Sequence, residues 1–171
     1  VVEEYKDMEK VVVSGITSKK DEARVTIEGV PDRPGIAATI FSALADANIN
    51  VNIIVQSSVK IKETQVNDIS FTVLNSEAKK TFEVLEKVKE ELGATGVGIE
   101  EDIAIVSIVG IGMKSHSGVA SKMFKLFAEN NMNIKMISTS EIKISVVIDL
   151  NLADKAVKIL HDAFNPGEAN E

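Results

Sequence analysis

One pattern occurs twice in this chain. Val25-Thr-Ile-Glu-Gly-Val30 returns as Val106-Ser-Ile-Val-Gly-Ile111, Gly35 as Gly118, Phe41 as Phe124, Ala45 as Ala128, and Ile49-Asn-Val-Asn52 as Met132-Asn-Ile-Lys135. Self-similarity at an offset of about 80 residues defines the folding unit before any element is assigned. Both copies must share one architecture, so the 171 residues hold two small domains rather than one of medium size.

In each copy a run of period 2 ends in a glycine-containing turn that opens into a helical pattern. In the first copy Ile36, Ile40, Phe41, Leu44 and Ala45 recur at spacings of three and four, one face of a helix. Pro34 falls near the helix start, where a missing N–H and a fixed φ cost little. Asp32 is positioned to accept from the free first-turn amides. Such a junction offers backbone N–H groups to a small anion, for example an amino-acid carboxylate. It is equally the ordinary turn and cap of a strand-turn-helix. The carboxamides after each helix, Asn48, Asn50 and Asn52 and then Asn130, Asn131 and Asn133, exceed what one helix cap uses.

Val1 to Glu9 is charged and aperiodic, a linker or arm. Strands are expected over Val11 to Ile16, Ala23 to Glu28, Val51 to Val55, Asp68 to Leu74, Thr95 to Ile99 and Ile103 to Val109. Helices are expected over Gly35 to Ala47 and Glu77 to Leu92, the latter with Phe82, Leu85, Val88 and Leu92 as its apolar stripe and Gly93 as its stop. Thr17 to Asp21 reads as a polar turn and Gln56 to Val66 as an extended hairpin loop. The first unit is then β-α-β-β-α-β, a ferredoxin-like α+β arrangement with an antiparallel sheet and both helices on one face. The second reads as strand Ile103 to Val109, helix Gly118 to Asn130 with Val119, Met123, Phe124 and Phe127 facing in, strands Ile134 to Ser138 and Lys143 to Ile148, and helix Leu152 to Phe164. It lacks a last strand, which would leave an apolar edge open. Val11 to Ile16 is the spare strand, so the expected domains are 23–102 and 103–165 plus 11–16, the first inserted within the second.

Composition narrows the chemistry. With no Cys and two His, disulfides and thiolate metal sites are excluded and little material remains for zinc. The net charge of −7 supplies no basic surface for nucleic acid. No apolar run approaches the length of a membrane span and no signal-peptide layout is present, so the reading is cytoplasmic, without membrane partners. The chain starts with Val and ends in polar Asn165 to Glu171, and so reads as a segment cut or processed from something longer. No nucleophile, base and orienting acid occur together. Gly93-Ala-Thr-Gly-Val-Gly98 follows a helix and enters a strand, the reverse of a dinucleotide-binding turn. His116 and Ser117 open a helix as a cap would, and His161 lies beside Leu160 with no role. What remains suits a zwitterion, which needs donors for its carboxylate, acceptors for its ammonium and a small pocket. The first copy supplies Asp32, the amides from Gly35 to Ala37, and Gln56. The second supplies Lys114, Ser115 and His116, with Ser138 to Glu141.

Gly15 through Val30, Asp32-Arg-Pro-Gly-Ile-Ala-Ala38, Phe41 to Asn52, Val106-Ser-Ile-Val-Gly-Ile-Gly-Met-Lys-Ser-His-Ser-Gly118 and Asn133-Ile-Lys-Met-Ile-Ser-Thr-Ser-Glu-Ile-Lys-Ile-Ser-Val-Val147 resemble the regulatory region of bacterial aspartate kinases, most closely the beta subunit of the heterotetrameric type. The resemblance implies two ACT domains that bind threonine, often in concert with lysine, and so restrain phosphorylation of aspartate by ATP. It implies a homodimer with effectors between unlike units, partnered by a catalytic domain or alpha subunit. ATP and magnesium belong to that catalytic part, so this chain implies no catalytic residues and no cofactor or metal of its own. Carried over by position, the threonine site uses Asp32, Pro34, Gly35, Ile36, Ala37 and Gln56, with Asn133 and Ile134 of the partner subunit. A lysine-sensing region involves Met113, Lys114, Ser115, Ser140 and Glu141. Where the family often has proline before the second-turn glycine, Ser117 precedes Gly118. The alternative is a structural dimerisation subunit whose pockets stay empty.

Overall fold

The computed structural model describes residues 13–110 and 116–166. They divide into two compact units, one over residues 21–102 and one from the segments on either side of it. The first unit runs β2 (Glu22–Pro31), α1 (Ile36–Asp46), β3 (Ile54–Ile61), β4 (Thr64–Leu74), α2 (Ala78–Leu92) and β5 (Gly96–Glu100), preceded by β1 (Val13–Lys19), which belongs to the second unit. The second unit continues with β6 (Ile103–Gly110), α3 (His116–Glu129), β7 (Met136–Thr139), β8 (Lys143–Asp149) and α4 (Ala153–Phe164). The sheets are antiparallel, in the orders β3-β4-β2-β5 and β1-β6-β8-β7. The repeat therefore folds as two α/β sandwiches of one topology, with β1 in the second at the place that β5 takes in the first.

Alternation decides which face carries the helices. In the first unit Ala23, Val25 and Ile27 on β2 and Ile69, Phe71 and Val73 on β4 meet Ile36, Ile40 and Leu44 of α1 and Ala78, Leu85, Val88 and Leu92 of α2. In the second, Ala104, Val106 and Ile108 with Ile144, Val146 and Ile148 meet Val119, Met123 and Phe127 of α3 and Ala153, Ala156 and Leu160 of α4. Phe124 is only partly buried. Each core is built from Ile, Val, Leu and Ala with few rings, as the aromatic share of 4% requires.

Four local expectations are corrected. Gln56 to Val66 is not a loop: β3 and β4 pair from Ile54↔Phe71 to Ile61↔Thr64, and only Lys62 and Glu63 make the turn, Lys62 at φ 56°. The polar side chains misled because β3 is an edge strand, nearly all of it exposed, where the ladder rather than burial holds the strand. β1 likewise continues through Thr17 to Lys19, paired with Ser107, Val106 and Ile105. Val51 to Ile53 lies outside β3; the Ile53 N–H bonds the Thr72 hydroxyl at 3.1 Å. Phe82 is 39% exposed. The buried stripe of α2 runs through Thr81, whose hydroxyl is satisfied by the Glu77 carbonyl at 2.8 Å.

A bulge in β2 aims the chain at α1. The β2–β4 register shifts between Ile27 and Val30, and Gly29 sits there at φ 64°. Its N–H donates to Asp68 Oδ1 at 2.9 Å, while Thr95 bonds the Glu28 carbonyl through both its N–H and its hydroxyl. A Cβ on Gly29 would lie 2.5 Å from Thr95 Oγ1. Gly29→Ala is expected to lower stability by about 2 kcal/mol or more, since the left-handed conformation alone costs a side chain roughly 1–2 kcal/mol. Denaturant midpoints of Gly29→Ala and Gly98→Ala check this, because a Cβ at Gly98 meets nothing within 4 Å. Equal losses would show that the bulge imposes no constraint.

Candidate functional site

Past the bulge, the Arg33 N–H bonds the Pro31 carbonyl at 3.1 Å, and Gly35 precedes α1 at φ 91°. A Cβ at Gly35 would touch nothing within 4 Å, so the demand there is conformational rather than steric. The Gly35 carbonyl receives both the N–H and the hydroxyl of Thr39 at 3.0 Å. No side chain caps α1, and its first-turn amides, those of Ile36, Ala37 and Ala38, have no partner inside the helix. Asp32 does not serve them as the sequence reading has it. Its Oδ1 accepts instead from Asn67 Nδ2 at 3.0 Å, because β4 brings a buried carboxamide within reach.

These residues enclose a pocket of about 250 Å³ within the first unit. Asp32, Pro34, Gly35, Ile36 and Ala37 form the turn side, Gln56 comes from β3, and Asn67 and Ile69 come from β4. Gln56 pairs with Ile69 and Ser58 with Asn67 across the hairpin, so strand register sets the polar groups opposite the helix start. All six residues expected from the first unit line this one pocket. Carboxylate and carboxamide acceptors face open amides and a helix N-terminus over Ile36 and Ile69, an arrangement that can hold a small molecule bearing both charges.

The remaining expected residues lie elsewhere. Asn133 and Ile134 line a separate concavity of about 400 Å³ in the second unit, with Phe124, Phe127 and Met132. Ser140 and Glu141 are exposed between β7 and β8, where the Ser140 N–H bonds the Lys143 carbonyl at 2.8 Å. Met113, Lys114 and Ser115 lie outside the described residues. Several of the carboxamides have structural partners: Asn48 and Asn131 take left-handed positions after the helices at φ 61° and 56°, Asn52 Nδ2 bonds Glu22 Oε1, and Asn130 Nδ2 bonds the Leu126 carbonyl. Asn67 and Ile69 were missed. Asn67 had a signal in the sequence, since it continues the inward series Ile69, Phe71 and Val73 and puts a carboxamide where alternation asks for an apolar side chain.

Among the described residues no group of three or more His, Cys, Asp or Glu could hold a metal ion, and no helix is long and apolar enough to cross a membrane.

Family models described as ACT domain match residues 24–93 and 106–164. An aspartokinase of Helicobacter pylori is 50% identical over 157 residues, which are 92% of this chain and 38% of that protein. The chain thus spans about two fifths of the length of the curated relatives it matches. Among solved structures, one of aspartokinase alpha and beta subunits superposes with a TM-score of 0.82 at 45% identity, covering 90% of this chain and 99% of that one. The ligand-free regulatory subunit of aspartate kinase from Thermus thermophilus gives 0.81 at 40% identity with the same coverage.

Proposed function

Because the chain belongs to the tandem ACT-domain regulatory regions of bacterial aspartate kinases, we propose that it binds threonine and thereby feedback-inhibits an aspartate kinase to whose catalytic domain or alpha subunit it is joined. The observation that carries the proposal is the first-unit pocket. At about 250 Å³ it is below the roughly 300–1,000 Å³ of drug-sized sites and suits one small amino acid. The α1 amides receive the carboxylate, Asp32 and Gln56 take the ammonium and hydroxyl, and Ile36 and Ile69 accept the methyl group. Asn133 and Ile134 of the partner subunit complete the site in a dimer. Effector binding then favours the dimer arrangement that brings the two halves together, and linkage to the kinase turns that preference into inhibition.

The proposed dimer is a homodimer with unlike units paired about a two-fold axis. Exposed apolar side chains at one edge of each sheet support it: Ile54, Val59 and Ile61 on β3, Ile137 on β7 and Ile142 beside it. Sedimentation is expected to show a dimer at micromolar protein with or without threonine. A monomer under both conditions counts against the arrangement.

Titration calorimetry on the isolated chain with threonine, lysine, methionine and isoleucine tests the effector. Threonine is expected to give a saturable heat, and lysine little. An ammonium held by the exposed Glu141 gains little from one carboxylate, and the part of the region that contacts the catalytic domain is needed to complete it. Strong lysine binding without threonine binding would reverse the ranking of the two regions. Silence from all four would favour a structural dimerisation subunit.

A further inference from the structure

Asn67 is 4% exposed, and both ends of its carboxamide are engaged. Nδ2 donates to Asp32 Oδ1 at 3.0 Å, and Oδ1 accepts from the Ser58 hydroxyl at 2.7 Å. A carboxylate can only accept, so the amide nitrogen must face Asp32 and the amide oxygen must face Ser58. The rung is therefore a directed chain, from the hydroxyl on β3 through the carboxamide on β4 to the carboxylate in the turn before α1. Asp32 itself is exposed. Without a fixed neighbour its side chain would distribute over rotamers, and a ligand would have to select one of them.

The second unit shows that the fold does not need this rung. Thr26 and Ser70 form a cross-strand hydroxyl pair at 2.8 Å, and Ser107 and Ser145 form the equivalent pair at 2.7 Å. Val55 lies opposite Ser70, and Ser138 lies opposite Ser145. Stepping three residues along each hairpin from these anchors sets Ser58 and Asn67 level with Glu141 and Ile142. There the second hairpin has already turned, whereas the first runs on to Lys62 and Glu63. The longer hairpin is what carries the rung.

We infer that Asn67 is a positioning residue for the effector site: held from behind by Ser58, it fixes Asp32 through Oδ1 and leaves Oδ2 for the ligand's ammonium or hydroxyl. For the identity of the ligand alone, this rests on the threonine reading. The first test needs no ligand. In the free chain, three-bond couplings across the Asp32 Cα–Cβ bond are expected to report one χ1 rotamer, with averaging in Asn67→Leu and partial averaging in Ser58→Ala. Asn67→Leu places an apolar group at an inward strand position, so its thermal midpoint should be unchanged or higher. Should that variant not fold, Ser58→Ala, altered at an exposed position, carries the test. A single Asp32 rotamer persisting in the folded variants overturns the inference.

The second test is threonine calorimetry. Asn67→Leu is expected to weaken binding roughly two- to tenfold, the cost of ordering one side chain, and to add nothing in an Asp32→Ala background. The same loss in both backgrounds would mean that Asn67 acts independently of Asp32, and would overturn the positioning role. If the wild-type chain binds no threonine while the couplings behave as described, the threonine reading fails and the Asn67–Asp32 clamp stands.

Discussion

Phe71→Ala is expected to destabilise the first unit by about 3–5 kcal/mol, the range for deleting a buried phenylalanine from a packed core. Phe71 lies on β4 between β3 and β2, is 0% exposed and is the largest fully buried side chain of its unit. Its ring meets Phe41 edge-on, with centroids 5.7 Å apart and planes at 66°. That pair contributes roughly 0.5–1.5 kcal/mol beyond the area it buries. With few other rings in the core, Ile and Val neighbours fixed by strand geometry have little freedom to close the cavity. Against a typical domain stability of about 5–15 kcal/mol, such a loss leaves the unit marginal. Chemical denaturation followed by the near-ultraviolet signal of the phenylalanines checks it. A loss under about 1.5 kcal/mol would show that the helices collapse onto the vacated space.

The second large effect is on the ligand. Asp32→Ala should cost roughly 1–3 kcal/mol of threonine binding, about tenfold to a hundredfold in affinity, because it removes the partner of the ammonium or hydroxyl. Gln56→Ala removes a second polar contact and belongs to the same range. Neither should perturb the fold much, since both side chains are exposed. Asp32→Ala does leave Asn67 Nδ2 without its acceptor, but the pocket opening lets water reach it. In a reconstituted kinase both variants should keep uninhibited turnover and need more threonine for inhibition. Turnover collapsing together with the threonine response would assign these residues to quaternary structure instead. Wild-type affinity in both would mean that the site lies elsewhere.

The doubled α/β architecture was legible because its signals are periodic and local: alternation in the strands, three-four spacing in the helices, and a repeat that demanded one solution twice. Exposed structure was harder to read. β3 carries Gln56, Ser57, Ser58 and Lys60, which look like a loop because an edge strand without a buried face has no alternation to display. In α2, Thr81 and Phe82 both fit the spacing. Fit to the core chose the smaller residue, whose hydroxyl is satisfied within the helix. The turn half of the candidate pocket, Asp32 to Ala37, is contiguous and could be read from the strand-turn-helix pattern. On the strand side Gln56 is among the residues expected from the sequence and Asn67 is not; that both border the turn follows from pairings along the whole hairpin, which no local pattern displays. The carboxamides drew attention to themselves by number, yet Asn48 and Asn131 answer to backbone conformation.

The pairing of β1 with β6 bears on how the molecule is made. Residues 21–102 lie between these neighbours, and an unfolded segment of that length would make their meeting entropically costly and slow. The first unit is complete before β6 is synthesised, however, and domains generally fold as units from the N-terminal end. Once folded, it binds its own two ends together: β2 pairs with β5 as far as Arg24↔Glu100, and the Arg24 guanidinium holds the Glu100 carboxylate at 2.7 Å. Its entry and exit thus emerge side by side, and a whole domain acts as the turn of a hairpin whose arms are β1 and β6. Damage to the first unit would then delay closure of the second sheet without altering a single residue in it.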